Sequence, residues 1–173
     1  RFVTLSSQIP TRTNYTFLNW CLGTATQNGT ICNGKTYNPG DEFDLDQTSE
    51  NAPTLYAIWS PNIAIRVNSG TTKVTLNGHV CNYGEPEAAT VGCIVTGLKN
   101  GESYLLTGTL EEGHNFSDWN PGSGTIADTH SLTTNFAPDA TPTTITPNTT
   151  AHTYPISLTN TDATTPGSTS AIA

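Results

Sequence analysis

The chain carries the hexapeptide YTFLNW at residues 15–20 and a related one, HNFSDW, at residues 114–119. In both, the first residue is aromatic or His, the third is Phe, the fifth is Asn or Asp and the sixth is Trp. Successive side chains of a strand point to opposite faces, so Tyr15, Leu18 and Trp20 cannot all share one face of a regular strand. The pattern therefore predicts two related β units, the first with a β-bulge or a strand end near Asn19. The aromatic side chains are expected to pack a core, and a ligand-binding aromatic platform is the alternative.

The two units also end alike, with IWSPN at residues 58–62 and NFAPD at residues 135–139. These endings divide the chain into a first module at 1–60 and a second at 63–139, connected by a linker at 60–62. The stretch 137–150 is rich in Pro and Thr and has no alternating apolar residues, which predicts an extended, semi-rigid linker. Residues 140–173 are accordingly interpreted as a linker followed by a strand segment.

Composition favours strands and turns along the whole chain. The 173 residues include 15 Gly and 11 Pro, and no window shows the apolar spacing of an amphipathic helix. We therefore predict a mainly β fold: two small β-rich modules in tandem, β-grasp-like or β-sandwich-like, plus an extended C-terminal strand segment. The predicted strands lie at residues 2–5, 15–21, 54–59, 63–67, 73–76, 94–98, 104–110, 115–119, 132–136 and 154–158.

The charge balance excludes some classes of partner. The chain has 14 Asp and Glu against 6 Lys and Arg, a net charge of -8, and therefore no basic surface for a nucleic acid. No apolar run approaches the ~20 residues that a membrane span needs, so membrane insertion is not expected. No signal peptide is visible at Arg1, which predicts that any targeting segment has been removed or lies outside this sequence.

The four cysteines fall into two well-separated local pairs. Cys21 and Cys32 lie in the first module, and Cys81 and Cys93 lie in the second. Neither pair has C-x-x-C spacing, and no His cluster completes a zinc site. The spacing predicts two local disulfides, Cys21–Cys32 and Cys81–Cys93, in an exported protein, with four buried free thiols as the alternative. In the chain-entropy description, each bond stabilises its module by about 3 kcal/mol.

No constellation of residues indicates an enzyme, a cofactor or a metal centre. His79, His114, His130 and His152 are scattered and have no motif context of a catalytic triad. The acidic run DEFDLD at residues 41–46 lacks the spacing and the glycine of a calcium loop. Its alternation predicts a half-buried strand with the carboxylates facing outward.

Three segments of the first module resemble the Listeria–Bacteroides repeat family. They are PTRTNYTFLNW at 10–20, TYNPGD at 36–41 and TLYAIW at 54–59, and together they cover residues 9–59. The sequence departs from the family pattern at Asn14 and Asn19, where Gly is usual, and at Cys21, where Tyr is usual. The resemblance implies small ubiquitin-like (β-grasp) modules that are strung along bacterial cell-surface proteins, usually without enzymatic activity. Residues 63–139 resemble a divergent relative of the same class.

The order of the unit beginnings and endings along the sequence predicts a role for the C-terminal tail. An alternating strand begins the second module at residues 63–68, and a similar one occurs at 156–160, whereas the first module has an ending but no beginning. We therefore predict that the residues after Thr150 complete the first module of the next copy, with Tyr154, Ile156 and Leu158 as the alternating side chains of a donated strand. Two alternatives stay open: the chain is one period of a tandem-repeat protein, or the tail folds back onto its own first module.

These features predict a non-enzymatic structural subunit of an extracellular surface fibre or pilus-like filament, whose partners are other copies of the same chain. Head-to-tail contacts of this kind do not close unless the rotation between copies closes, so an open filament follows. The alternative is an adhesin or ligand-binding module of a large bacterial surface protein. Such a module would bind a host or surface receptor, and Tyr83 and Trp119 are the first candidates for its site.

Overall fold

A computed structural model of the chain describes residues 1–47, 53–84 and 93–157. These residues are mainly β, and the helical structure among them is a single 3-10 turn at Leu45–Gln47. The predicted mainly β fold class is therefore confirmed. Within the described ranges, no helix has the length and hydropathy that a membrane span requires. No hydrogen-bonded sheet of this part of the chain contains strands from both sides of Asn62, and we call the two sides the first and the second module.

The first module contains a three-stranded antiparallel sheet and a two-stranded antiparallel ribbon. The sheet has the strand order β3-β2-β5, and the ribbon pairs β1 with β4. A tight turn between β3 and β4 connects the sheet to the ribbon. In this turn the Asp41 N–H donates to the Asn38 carbonyl at 3.1 Å, and the Asn38 N–H donates to Asp41 Oδ2 at 2.6 Å. The strands are β1 (Phe2–Thr4), β2 (Tyr15–Thr26), β3 (Ile31–Tyr37), β4 (Glu42–Asp44) and β5 (Leu55–Pro61).

Strand β2 contains the β-bulge that the sequence predicts near Asn19. Phe17 pairs with Trp59 and Asn19 pairs with Ile58, which leaves Leu18 as the extra residue. An extra residue shifts the alternation of side chains by one position. The bulge therefore lets a non-alternating apolar sequence remain part of one continuous strand.

The related hexapeptide of the second module has its bulge at the same place, between Phe116 and Asp118. In both modules the shift brings the Phe and the Trp of the hexapeptide together, although they are three residues apart. The ring centroids of Phe17 and Trp20 are 5.1 Å apart, and those of Phe116 and Trp119 are 5.3 Å apart. The shared sequence pattern thus corresponds to a shared local structure.

The second module consists of two sheets with a common apolar core. The four-stranded sheet has the order β11-β14-β6-β9 and the five-stranded sheet the order β12-β13-β10-β7-β8. Their strands contribute one contiguous cluster of buried side chains, among them Ile65, Leu76, Leu106, Trp119 and Phe136. The strands are β6 (Ile63–Ile65), β7 (Thr71–Leu76), β8 (His79–Asn82), β9 (Cys93–Val95), β10 (Tyr104–Leu110), β11 (His114–Pro121), β12 (Thr125–Ile126), β13 (Thr133–Ala137) and β14 (Thr143–Ala151).

The stretch predicted as a Pro/Thr-rich linker is instead strand β14, and the prediction is wrong for residues 143–151. This strand pairs in parallel with β6 and antiparallel with β11, so the second module extends to Ala151. Its Ile145 is fully buried in the core. Pro147 lies beyond Ile145, the last residue that pairs with β6, so its missing N–H breaks no bond to that neighbour. The proline at position 147 is therefore compatible with strand β14, although its presence in the sequence favours a linker.

The predicted linker at residues 60–62 is also part of the packed structure. Ser60 is fully buried, and its hydroxyl donates to the carbonyl of Leu98 at 2.7 Å. The Asn62 N–H donates to the carbonyl of Asn14 at 3.0 Å. Strand β5 thus runs into β6 with one residue between them, and hydrogen bonds from both modules hold this junction.

The structure joins Cys21 to Cys32 and Cys81 to Cys93, the two pairs that the sequence predicts. The first bond lies within the hairpin of β2 and β3. The second connects β8, at the end of the five-stranded sheet, to β9, at the end of the four-stranded sheet. Each bond is therefore local in sequence, but the second one fastens two different sheets to each other.

Candidate assembly site

Strand β14 carries the chain away from the first module. Its first residue, Thr143, pairs with Ile63 beside the junction, whereas its last residue, Ala151, pairs with His114. Eight residue steps of about 3.3 Å place these two ends roughly 26 Å apart. At the far end, the His152 N–H donates to the carbonyl of Gly113 at 2.7 Å. The C-terminal tail therefore leaves the second module at the end opposite to the first module.

The beginning of the tail is apolar and exposed. Tyr154 and Ile156 expose 67% and 50% of their surfaces. The described residues of the tail have no strand pairing, so the strand predicted at 154–158 is absent from residues 154–157 of the single chain. A strand needs a neighbouring strand for its backbone bonds, and no described strand pairs with these residues. Leu158, the third predicted side chain of the donated strand, lies outside the described residues.

Strand β1 has one paired edge and one unpaired edge. On the paired edge, the Leu5 N–H donates to the Asp41 carbonyl at 2.9 Å, and the Leu45 N–H donates to the Arg1 carbonyl at 2.8 Å. Backbone groups alternate in direction along a strand, so those of Phe2 and Thr4 point away from β4. Among the described residues, no strand pairs with β1 on that side. Phe2 and Val3 are 66% and 39% exposed at this edge.

Strand β5 ends the three-stranded sheet, and the tip of the β2–β3 hairpin occupies part of its outer edge. Its inner edge pairs with β2 along its whole length. On the outer edge, the Trp59 N–H donates to the carbonyl of Gly29, at the tip of the β2–β3 hairpin, at 2.9 Å. By alternation, the backbone groups of Ala57 and Leu55 face the same way. Within the part of the chain that the structure describes, no strand pairs with this outer edge.

The first module buries little apolar surface compared with the second. Five of its apolar side chains are less than one-tenth exposed among the described residues, namely Cys21, Tyr37, Phe43, Ile58 and Pro61. The rings of Phe17, Trp20 and Trp59 contact one another at centroid distances of 5.1 and 5.8 Å, but each is only half-buried. One face of the sheet is thus an aromatic surface that its own module leaves partly uncovered.

A groove of about 720 Å³ lies at the junction of the two modules. It has Asn14 and Asn62 on one side and the start of β14 on the other. Its described lining residues are uncharged, and the apolar part includes Ile94, which is 40% exposed on β9. A mostly apolar surface with a few amide and hydroxyl groups suits an uncharged ligand that has both apolar and hydrogen-bonding faces.

The two aromatic residues predicted for an adhesin site have different environments. Trp119 is only 2% exposed, and its indole Nε1–H donates to the carbonyl of Ser131 at 2.8 Å. It is a core residue, so the prediction that it lies at a binding surface is wrong. Tyr83 is 55% exposed and is available to a partner. The structure does not bring these two residues together at one surface.

The histidines occupy separate positions, and one of them lies beside a disulfide. The Nε2 atom of His79 is 3.1 Å from Cys93 Sγ. His114 is 4.0 Å from Glu111, and His152 Nδ1 is 2.9 Å from the hydroxyl of Tyr154. The sequence argument missed His79. His79 lies two residues before Cys81 on the same strand, so their side chains share one face. This spacing is the sequence signal that could have placed His79 beside the disulfide.

Comparisons of the chain with family models, curated proteins and solved structures found no match. The family resemblance of the first module therefore remains an expectation from its three motif segments.

Proposed function

We propose that this protein is a structural subunit of an extracellular fibre, in which each copy adds its C-terminal tail as a strand to the first module of the next copy. The main support for the proposal is the direction of strand β14, because this strand takes the tail to the end of the second module that lies opposite to the first module. A subunit with a donor at one end and an acceptor at the other forms open head-to-tail polymers.

The acceptor side of the proposal rests on two incompletely paired edges of the first module. No described strand pairs with the backbone groups of Phe2 and Thr4 on β1, and on β5 the hairpin tip at Gly29 satisfies only part of the outer edge. An added strand satisfies such groups, and its alternate side chains provide specificity. Tyr154, Ile156 and Leu158 alternate as such a strand requires. The half-buried rings of Phe17 and Trp59 provide an apolar surface that the donated side chains could cover.

The location follows from the covalent structure and from the family resemblance. The two disulfides indicate an oxidising environment outside the cytoplasm. The bacterial cell surface is the location that the resemblance to Listeria–Bacteroides repeats adds. The proposed partners are other copies of the chain, and no enzymatic activity belongs to the proposal.

Deletion of residues 154–173 tests the donated strand. We expect the full chain to form filaments visible by electron microscopy, and the deletion to give monomers in size-exclusion chromatography. A peptide with the sequence of residues 152–173 should then bind the truncated chain and raise its Tm. The control is a peptide of the same composition in scrambled order.

Two results contradict the proposal. One is polymerisation of the truncated chain, which would show that the tail is dispensable. The other is a full chain that stays monomeric at high concentration and is as stable as the complex of truncated chain and peptide. That second result would mean that the tail folds back onto its own first module.

The groove at the junction favours a second candidate function, that of an adhesin for uncharged glycans. Its asparagine and hydroxyl groups match the hydrogen-bonding groups of a saccharide, and Ile94 offers an apolar patch. Glycan-array binding that Ile94→Trp abolishes by filling the groove would support this function, with Tyr83→Ala as the control, because Tyr83 does not line the groove. Absence of binding to any arrayed glycan would leave the fibre as the better explanation.

A further inference from the structure

The Cys81–Cys93 bond holds together the two sheets of the second module at their ends. Cys81 lies on β8 and Cys93 on β9, and each of these strands is the last of its sheet. Cys81 is 0% and Cys93 is 8% exposed, and both belong to the apolar core cluster. Opening this bond leaves two thiols facing each other across the interface of the two sheets.

His79 lies directly at this bond. Its Nε2 is 3.1 Å from Cys93 Sγ, and Nε2 and the two sulfur atoms all lie within 4.8 Å of one another. His79 itself is exposed, so solvent reaches the group from the histidine side. Among the described residues this is the one group of three or more His, Cys, Asp or Glu side chains with such close ligand atoms.

Among the described residues, the other disulfide has no histidine or carboxylate so close to its sulfur atoms, and it serves as an internal comparison. The first histidine of the chain is His79, so none is close in sequence to Cys21 or Cys32. In the structure, the polar contacts of these sulfur atoms are with the carbonyls of Thr24 at 3.8 Å and Lys35 at 3.9 Å. Two thiols in that hairpin would therefore offer a metal ion two ligands, whereas the second module offers three.

We propose that reduction of the Cys81–Cys93 bond converts it into a zinc site formed by His79, Cys81 and Cys93. Zinc prefers thiolate and imidazole ligands at about 2.3 and 2.0–2.1 Å in a tetrahedron, which places the nitrogen about 3.6 Å from each sulfur and the two sulfurs about 3.8 Å apart. His79 Nε2 and Cys93 Sγ, at 3.1 Å, are already close to this spacing, and rotation of the side chains must move these two atoms and the two sulfur atoms slightly further apart. A solvent molecule takes the fourth position on the exposed side.

The reductant in this reaction is a dithiol. The dithiol gives two electrons and two protons to the Cys81–Cys93 bond, which becomes two thiols, and is itself oxidised to a disulfide. Zn²⁺ then displaces the two thiol protons, and neutral His79 donates the lone pair of Nε2. The ion replaces the covalent link between β8 and β9 with a coordinate one, so that the two sheets stay joined when the disulfide is open.

Cobalt is a suitable probe, because Co²⁺ with thiolate ligands in tetrahedral geometry has characteristic charge-transfer and d–d absorption. The test uses the full chain with Cys21→Ser and Cys32→Ser, reduced with a dithiol that is then removed without air. We expect one equivalent of Co²⁺ to bind with this spectrum, and Zn²⁺ to displace it. His79→Ala should weaken the affinity by at least about tenfold, and the oxidised protein should bind nothing.

The matched control is the full chain with Cys81→Ser and Cys93→Ser, which retains the other two thiols and should not give the spectrum. Equal Co²⁺ affinity of the protein with His79 and of the His79→Ala variant would overturn the proposal, as would the absence of binding to the reduced protein. If the reduced chain loses its β-sheet circular dichroism, the readout becomes recovery of that signal on adding Zn²⁺. Recovery must then depend on His79, and no recovery refutes the site.

Discussion

Cys21 and Cys32 are joined with their Cα atoms 5.6 Å apart, although neither is the other's partner in the strand register. Cys21 lies opposite Thr36, and Cys32 lies opposite Ala25. In a flat hairpin, the four residue steps from Cys21 to Ala25 span about 13 Å. The hairpin of β2 and β3 must therefore bend sharply, and the disulfide fixes the bent shape.

The bend depends on Gly34, where a Cβ atom would lie 2.0 Å from the carbonyl oxygen of Leu22. We expect Gly34→Ala to lower the free energy of unfolding by about 2 kcal/mol or more, because the two backbones must separate. The control is Gly78→Ala, where no atom lies within 4 Å of the new Cβ and the cost is the positive φ of 79° alone, about 1 kcal/mol. Urea denaturation measures both, and equal losses would contradict the bend.

Trp119 is expected to contribute to stability and Tyr83 is not. Trp119→Ala removes a side chain that is only 2% exposed and should cost about 3–5 kcal/mol. Trp119→Phe should cost less, because it keeps most of the packing and loses the hydrogen bond to Ser131. Tyr83→Ala should stay within about 0.5 kcal/mol of the unchanged protein. A large loss for Tyr83→Ala in thermal unfolding would show that the residue is part of the core.

Asn100 couples the two modules. Its amide Nδ2 donates to Gln27 Oε1 and to Thr30 Oγ1, each at 2.8 Å. Asn100→Asp replaces this donor with a carboxylate facing two oxygen atoms, so we expect a loss of about 1–2 kcal/mol in calorimetry. Asn120→Asp adds the same charge at an exposed position and is the control. Equal effects of the two changes would mean that the junction does not depend on this amide.

The alternation of the tail gives a sharp test of strand donation. Ile156→Asp places a charge on the face that is proposed to enter the next copy, and it should abolish filaments. Ser157→Asp changes the neighbouring residue, on the opposite face of the donated strand, and should leave filaments intact. Light scattering and electron microscopy report both outcomes. Loss of filaments in both variants would indicate a charge effect without a defined strand register.

Local features were predicted well because they depend on neighbours in the sequence. The bulge near Asn19 followed from an apolar pattern that a regular strand cannot accommodate, and pairing of Phe17 and Asn19 with adjacent residues of β5 confirms it. The two disulfides followed from cysteines that are close in sequence. The strands at residues 104–110 and 115–119 followed from β-favouring side chains between turn residues.

Strand β14 was not predicted, because its stability comes from partners far away in the sequence. Its Thr and Pro residues have no strong apolar alternation, and only the neighbouring β6 and β11 make the segment a strand. Likewise, nothing in the sequence around Ser60 indicates its burial, which arises from contact with Leu98. The position of His79 beside Cys93 depends in the same way on how two sheets meet.

The sequence by itself determined the mainly β fold, the repeated bulge and the cysteine pairing, because strand alternation, turn residues and short loop closure act over a few neighbouring residues. Only the tertiary structure decided which strands lie side by side, which edges stay unpaired and at which end the tail leaves. Those outcomes depend on the packing of two sheets around one core, in which residues such as Ile63, Ile65 and Ile145 become neighbours although long stretches of chain separate them.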